Sequence, residues 1–164
     1  MNYVFVDLES QFLFDEVGGR DHADKLKVAC AVTYSTAKND FTVYWENDVP
    51  ALLAELKAAT KVIGFNLISF DYRVLQPYAN QVRLASIPTL DMLVDIHKNL
   101  GFRVSLDNLA SASLGATKTA DGIQSVQWFR NGELDKVAEY CQADVDITRR
   151  VFEFGRDNGF VYYK

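Results

Sequence analysis

Residues 133–152 read ELDKVAEYCQADVDITRRVF, a stretch with the spacing of one long amphipathic helix. Gly132 precedes this stretch, and neither Pro nor Gly interrupts it before Gly155. Apolar side chains recur at helical spacing, which predicts that one face turns toward a core. Asp144 lies at the edge of that face, one helical turn after Tyr140. The inward stripe consists of Leu134, Val137, Cys141, Val145, Thr148 and Phe152.

The position of Asp144 has two interpretations. A carboxylate that faces a core must accept hydrogen bonds, take up a proton or bind a cation. Asp144 therefore either caps a loop amide or joins other acids around a metal ion. The rest of the chain is needed to choose between these interpretations.

The first predicted strand places two further acids on one face. Asn2–Leu8 is apolar on both faces, which is typical of a central strand that is covered on both sides. Because side chains alternate along a strand, Asp7 and Glu9 continue the face of Tyr3 and Phe5. Two carboxylates that point the same way repel each other, and a bound cation compensates this repulsion. The alternative is that the strand ends at Asp7 and both acids are solvated loop residues.

A fourth acid follows another predicted strand. Lys61–Phe65 has the composition of a strand, and a helix is predicted from Phe70 to Tyr78. Asp71 lies on the apolar face of this helix, in its first turn. The helix dipole alone favours an acid at such a position, so Asp71 by itself is weak evidence of a site.

The other segments complete the pattern of an α/β protein. Residues 116–122 are small and polar, contain Lys118 and are predicted to form a connection. Asp91, Asp95 and His97 are interpreted as surface or capping residues rather than metal ligands. Further strands are predicted at Lys27–Tyr34 and Phe41–Trp45, helices at Pro50–Ala59 and Ser105–Leu114, a strand end followed by a helix at Pro88–Leu100, and a last edge strand at Phe160–Tyr163.

Composition limits the class of protein. The chain has 164 residues, of which 49% are hydrophobic and 13% aromatic, so we expect one globular domain over residues 1–164. No apolar run has the length of a membrane span, and no secretory segment precedes Asp7. Cys30 and Cys141 are far apart and form no CxxC motif, which indicates reduced thiols in an intracellular, cytoplasmic protein.

The net charge of −5 argues against a protein that coats nucleic acid regardless of its sequence, since such proteins are normally basic. It does not exclude an enzyme that acts on nucleic acid. Two divalent cations bound among the acids would change the net charge from −5 to −1.

Four acids thus occur at strand ends or in the helices beside them. If Asp7, Glu9, Asp71 and Asp144 converge, their charges destabilise the fold unless cations are bound. Two Mg²⁺ or Mn²⁺ ions about 4 Å apart would form an oxygen-rich site for in-line displacement at phosphorus. One ion helps to turn water into a nucleophile, and the other stabilises the leaving 3′ oxygen.

Three segments resemble the exonuclease motifs of the DEDD superfamily: Asp7-x-Glu9, Asn66-x-x-x-Phe70-Asp71 and Tyr140-x-x-x-Asp144. The tyrosine is similar to that of the DEDDy subgroup, which includes the proofreading domain of family-B DNA polymerases and small stand-alone relatives. The resemblance implies a ribonuclease H-like fold, with a central mixed five-stranded sheet flanked by helices. It also implies two-metal catalysis and 3′→5′ removal of nucleotides.

The same resemblance implies the roles of individual residues. The four acids would be both catalytic and metal-binding, and the Tyr140 hydroxyl would orient the attacking water. Ser10 stands where many relatives have Thr, and no long basic stretch is available to grip a strand. The catalytic residues implied are Asp7, Glu9, Asp71, Tyr140 and Asp144, and the substrate-binding residues are Asn66, Ser10 and Leu8.

Four functions are compatible with these features. The first is a 3′→5′ exonuclease that acts on the 3′ ends of single-stranded DNA or RNA, with DNA favoured, and has a polymerase or helicase partner on a separate chain. The second is a ribonuclease H-like endonuclease, which has no need of the Tyr140-x-x-x-Asp144 helix. The third is a non-catalytic nucleic-acid-binding module of a replication or repair assembly. The fourth is a hydrolase of small phosphoesters. None of them involves a membrane.

Overall fold

Five strands form the centre of the computed structural model, which describes residues 1–118 and 120–164. The first strand pairs antiparallel with the second and parallel with the fourth. The outer strands continue these pairings, so the sheet is mixed, as the resemblance implies. The strands are β1 (Tyr3–Ser10), β2 (Val28–Ser35), β3 (Asp40–Trp45), β4 (Lys61–Gly64) and β5 (Thr89–Asp91), and their order in the sheet is β3-β2-β1-β4-β5.

Helices cover both faces of this sheet. Those in the described part of the chain are α1 (Val49–Ala58), α2 (Tyr72–Leu75), α3 (Met92–Leu100), α4 (Leu106–Leu114), α5 (Gly122–Arg130) and α6 (Leu134–Asn158). Thr119, in the predicted connection at 116–122, lies outside the described residues. No helix of the described ranges combines the length and the apolar character that crossing a membrane requires.

The central strand β1 separates two apolar cores. Val4, Val6 and Leu8 pack on one face with residues of α1 and α2. Phe5 packs on the other face with residues of α3, α4 and α6, including Val145. This arrangement confirms a central strand that is covered on both sides, and β1 continues through Glu9 rather than ending at Asp7.

The long helix confirms the prediction for residues 133–152 and extends beyond it. α6 runs past Gly155 and ends at Gly159, whose φ of 82° is in the left-handed region that favours glycine. A Cβ atom at Gly155 would lie 3.1 Å from Val161 Cγ1, so this glycine lets the C-terminal segment lie close to the helix.

Two predicted elements differ from the structure. Phe160–Tyr163 is not a strand; instead, both backbone polar groups of Tyr162 bond to the Ser113 hydroxyl on α4. The helix predicted at Phe70–Tyr78 is a π-helical turn at Leu67–Asp71, followed by α2 and a 3-10 turn. Pro77 lacks an N–H group and cannot continue the α-helical hydrogen bonds, so the helix changes form there.

Candidate active site

Strand β1 carries the first two acids to the site. Asp7 and Glu9 lie on the same face as Phe5, opposite Val32 and Cys30 of β2. The register shifts between Glu9 and Ser10, which is a local irregularity of the kind often found beside active sites. Glu9 is buried and Asp7 is half-buried, so neither carboxylate is a freely solvated loop residue.

The π-helical turn after β4 carries the third acid. Asp71 is 1% exposed, and its Oδ1 atom accepts a hydrogen bond from the backbone N–H of Leu8 at 3.1 Å. The backbone of the central strand therefore holds this carboxylate next to the strand. A single π-helical turn frequently marks a functional site, because it changes the direction of the side chains that follow.

The buried Asp91 side chain holds the start of this turn. Its Oδ1 accepts a hydrogen bond from the Asn66 N–H at 2.8 Å, and its Oδ2 accepts one from the Ile68 N–H at 3.0 Å. Asn66 itself has a φ of 64°, a left-handed conformation that Asn tolerates better than most residues. Asp91 also caps α3 through the Leu93 N–H, which agrees with its interpretation as a capping residue. The sequence did not predict that Asp91 is buried or that it binds the backbone at the start of the π-helical turn.

Helix α6 supplies Tyr140 and Asp144, both of which are buried. The Nζ atom of Lys118 lies 3.2 Å from Asp144 Oδ2 and 5.7 Å from the centre of the Tyr140 ring. The ring of Trp128 packs edge-on against the Tyr140 ring, with 6.2 Å between the centroids. Tyr140 and Asp144 are thus fixed by the helix, by an aromatic neighbour and by an ammonium group.

Sequence analysis did not identify Lys118 as a site residue. Its backbone N–H donates to Asp107 Oδ1 at 2.9 Å, and this bond holds the connection against α4. The only sequence signal was a single lysine in a small polar segment, which has no periodicity that would predict where the side chain points.

Burial raises the pKa values of all four acids, and for three of them the charge of a neighbouring acid adds to the rise. Burial and the charge of Asp144 raise the pKa of Asp7 to about 8, although Lys118 opposes the shift. Burial and the charge of Asp7 raise the pKa values of Glu9 and Asp71 well above their ordinary range. Burial also raises the pKa of Asp144, against the effect of Lys118. Asp7, Glu9 and Asp144 line one cleft, and Asp71 bonds to the backbone of Leu8 between the first two, so the structure brings all four acids together.

Two clefts meet at Asp7, Lys118 and Asp144. The first, which we call the aromatic cleft, has a volume of about 330 Å³ and is lined by Leu8, Ser10, Phe12, Leu13, Phe14, Phe70, Ile123, Val126 and Tyr140, among others. The second, which we call the polar cleft, has a volume of about 470 Å³ and is lined by Phe65, Asn66, Leu93, Arg103, Val104, Ser105, Leu106, Asp107 and Thr148.

The predicted substrate-binding residues are divided between these clefts. Leu8 and Ser10 line the aromatic cleft, whereas Asn66 lines the polar cleft. A larger apolar cavity of about 610 Å³ lies between α3 and α6 and contains none of the four acids.

The donor atoms at this site fit hard divalent cations. Ligand atoms of Asp7, Glu9 and Cys141 lie within 4.8 Å of one another, and Asp71 and Asp144 add further carboxylates. Mg²⁺ and Mn²⁺ prefer the carboxylate oxygens of this set, whereas the soft Cys141 sulfur contacts the backbone oxygen of Asp7. The Ser125 hydroxyl is buried and has no hydrogen-bond partner in the described part of the chain. One ammonium group beside four carboxylates leaves negative charge that bound cations would neutralise.

The fold and the site define a class of protein. The family model that matches residues 4–154 describes the RNase_H superfamily. The chain belongs to the RNase H superfamily, a nuclease superfamily whose members generally use divalent metals.

Among solved structures, the chain is similar to the family B DNA polymerase from the hyperthermophilic archaeon Pyrobaculum calidifontis, with a TM-score of 0.71 and 15% sequence identity. The match covers 95% of this chain and 24% of the polymerase chain, and at this identity it shows the fold alone. It confirms the ribonuclease H-like fold and the likeness to family-B polymerases that the motifs indicated. A search of curated protein sequences gives no match.

Proposed function

We propose that residues 1–164 form a single 3′→5′ exonuclease domain that hydrolyses single-stranded nucleic acid, with DNA favoured. The observation that supports this proposal most directly is the convergence of four acids from three separate segments. Without cations such a cluster costs stability, because burial and mutual repulsion both oppose ionisation. A cluster of this kind is explained by a function that requires metal ions.

Asp7, Glu9, Asp71 and Asp144 would hold two Mg²⁺ or Mn²⁺ ions. When bound, such ions activate water at neutral pH and neutralise the charge that develops on the leaving oxygen. The carboxylates are already ordered for this role: Asp71 accepts the Leu8 N–H, and Asp144 sits on the rigid helix α6. Ordered ligands reduce the entropy that binding would otherwise cost.

Tyr140 and Lys118 would act on the water and the phosphate. Burial and the charge of Asp144 raise the pKa of Tyr140, so its hydroxyl keeps its proton and can orient an attacking water. Burial is the largest single effect on Lys118 and lowers its pKa, but Asp144, Tyr140 and Asp7 together raise the pKa above its ordinary value, so Lys118 stays charged. Its ammonium can therefore contact an anionic phosphate where the two clefts meet.

The aromatic cleft is suited to the terminal nucleotide of a strand. Phe12, Phe14 and Phe70 supply flat apolar surface beside Leu8 and Ser10, and bases stack on aromatic side chains with little dependence on sequence. This surface supports an enzyme that accepts an unpaired end, which favours an exonuclease over an endonuclease.

A labelled-strand assay tests the proposal. Purified protein with Mg²⁺ or Mn²⁺ is incubated with single-stranded DNA and RNA of the same sequence, labelled at the 5′ end. A 3′→5′ exonuclease produces a ladder that shortens with time, whereas a closed circular strand stays intact. Asp144→Asn should abolish the ladder. An intact linear strand, or an Asp144→Asn variant as active as the wild type, contradicts the proposal.

Cleavage of the circular strand would instead indicate the endonuclease, and release of phosphate from mononucleotides would indicate the small-phosphoester hydrolase. The partner we propose is a polymerase or helicase on a separate chain, and the likeness to a polymerase chain is compatible with the first of these.

A further inference from the structure

The polar cleft contains a guanidinium group, that of Arg103, which forms no hydrogen bond or ion pair with the described residues. Arg103 is exposed and lines the cleft that also contains Asp7 and Asp144. In the described ranges it forms no ion pair, whereas Lys118, the other cation that lines the clefts, is paired with Asp144. An arginine left unpaired beside a cluster of acids is free to bind an anionic ligand.

The backbone on both sides of Arg103 is fixed. Gly101 ends α3 with a φ of 82°, and Ser105 caps α4 by accepting the Asn108 N–H at 3.1 Å. Between them Val104 is buried in the core on the α6 side of the sheet. The loop therefore holds the Cα atom of Arg103 at the cleft, and only the side chain has to become ordered when a ligand binds.

Two further donors line the same cleft. The Asn66 side chain forms no hydrogen bond within the described residues, because Asp91 binds only its backbone N–H. The Ser105 oxygen accepts a hydrogen bond, which leaves its O–H free to donate. Asp107 lines the cleft as well, and its carboxylate accepts a hydrogen bond from the backbone N–H of Lys118. A guanidinium, an amide and a hydroxyl together match a phosphodiester, which offers only acceptors.

We propose that the polar cleft binds a backbone phosphate of the substrate strand other than the phosphate that is cleaved, with Arg103 as the principal contact. The proposal rests on the proposed function, because that function makes single-stranded nucleic acid the ligand. Phosphate contacts position a strand without reading its bases. Arg103 would therefore be a positioning residue that sets affinity for the strand and not base preference.

Binding without turnover tests this role directly. Fluorescence anisotropy is measured with labelled single-stranded oligonucleotides in EDTA at several salt concentrations. Arg103→Ala should weaken binding about tenfold at low salt, equally for different base sequences, and reduce the salt slope by about 0.7. Arg150→Ala is the matched control, because Arg150 is an exposed arginine on α6 that lines neither cleft. Arg103→Lys should recover part of the affinity, since it restores the charge without the planar fork.

Neutral methylphosphonates identify the phosphate. Each backbone phosphate of the oligonucleotide is replaced in turn by a methylphosphonate. At the contacted position the replacement should weaken binding by the wild-type protein, but it should not weaken binding by the Arg103→Ala variant any further. In Mg²⁺ the same variant should raise KM and leave kcat nearly unchanged.

Equal affinities and salt slopes for Arg103→Ala and Arg150→Ala overturn this inference, as does a wild-type protein that binds no single-stranded oligonucleotide. If the Arg103 effect is present but no strand is shortened in Mg²⁺, the exonuclease proposal fails while the phosphate site stands.

Discussion

At the residue scale, the site is a balance between one ammonium group and four carboxylates, of which Asp7 is half-buried and the other three are buried. Lys118 pairs with Asp144, whereas Asp7 is stabilised mainly by keeping its proton, with a pKa of about 8. The protein without metal ions therefore carries less negative charge at its centre than the sequence alone indicates.

This balance predicts an unusual pH dependence for the metal-free protein. Burial and the charge of Asp144 raise the pKa of Asp7 from its ordinary value of 3.8 to about 8, so between these pH values the folded protein holds a proton that the unfolded chain has released. The free energy of unfolding should therefore fall as pH rises from about 4 to about 8. Urea unfolding in EDTA at several pH values measures this slope. Asp7→Asn, whose side chain does not titrate, should flatten it; equal slopes for both proteins contradict the prediction.

The Tyr140 hydroxyl should affect the chemical step without affecting metal binding. Tyr140→Phe keeps the ring against Trp128 and removes only the hydroxyl. We expect kcat to fall about 10- to 100-fold. A side chain that assists proton transfer usually contributes about 100- to 10,000-fold, so the expected loss is at or below the lower end of that range. Mg²⁺ affinity by calorimetry should stay unchanged, in contrast to Asp144→Asn. A Tyr140→Phe variant with wild-type kcat rules out a role for this hydroxyl.

At the scale of elements, Asp91 joins the turn before Asp71 to the start of α3. The Asp91 carboxylate accepts the N–H of Ile68 with one oxygen and the N–H groups of Asn66 and Leu93 with the other. Asp91→Asn replaces one of these oxygens with an NH₂ group, which then faces N–H groups that it cannot accept. We expect a loss of about 2 kcal/mol in the free energy of unfolding, because a buried donor is left unpaired. Asp95→Asn, on the exposed side of α3, is the control and should change stability by less than about 0.5 kcal/mol. Denaturant unfolding of both variants measures the difference.

The turn that carries Asp71 also depends on the glycine before it. A Cβ atom at Gly64 would lie 2.6 Å from Leu67 Cγ and Cδ2, inside a fully buried contact. Gly64→Ala should therefore lower the free energy of unfolding by about 1–3 kcal/mol. Gly122→Ala meets no atom within 4 Å and should not destabilise the protein. Thermal unfolding distinguishes the two, and equal stability of both variants would argue against the close contact.

The elements also show what a sequence can reveal. Asp7, Glu9 and Asp144 were located because each interrupts or extends an apolar face, a signal that is local to one strand or helix. Lys118 and Arg103 gave no such signal, since both lie in connections whose position depends on how the neighbouring helices pack. Phe160–Tyr163 was wrongly predicted as a strand, because aromatic and β-branched residues are equally suited to packing against a helix.

At the scale of the whole molecule, metal ions should act as a global stabiliser. A ligand that binds only the folded state adds about 2.7 kcal/mol at 100 times its Kd, which corresponds to a rise in Tm of about 5–10 °C for a chain of this size. Calorimetric scans with Mg²⁺ or EDTA measure this rise. Asp71→Asn should abolish most of it, whereas Asp146→Asn, which removes an acid paired with Arg149 on the surface, should not. An equal rise in both variants would locate the ions elsewhere.

The site joins the first strand of the chain to its last helix, so Asp7 and Asp144 are separated by most of the sequence. During translation, Asp7 leaves the ribosome long before Asp144 does. Until α6 has emerged and packed against β1, Asp144 and its partner Lys118 cannot complete the cluster that Asp7, Glu9 and Asp71 begin. A nascent chain in which α6 has not yet emerged therefore lacks one of the four carboxylates that gather at the centre of the folded protein.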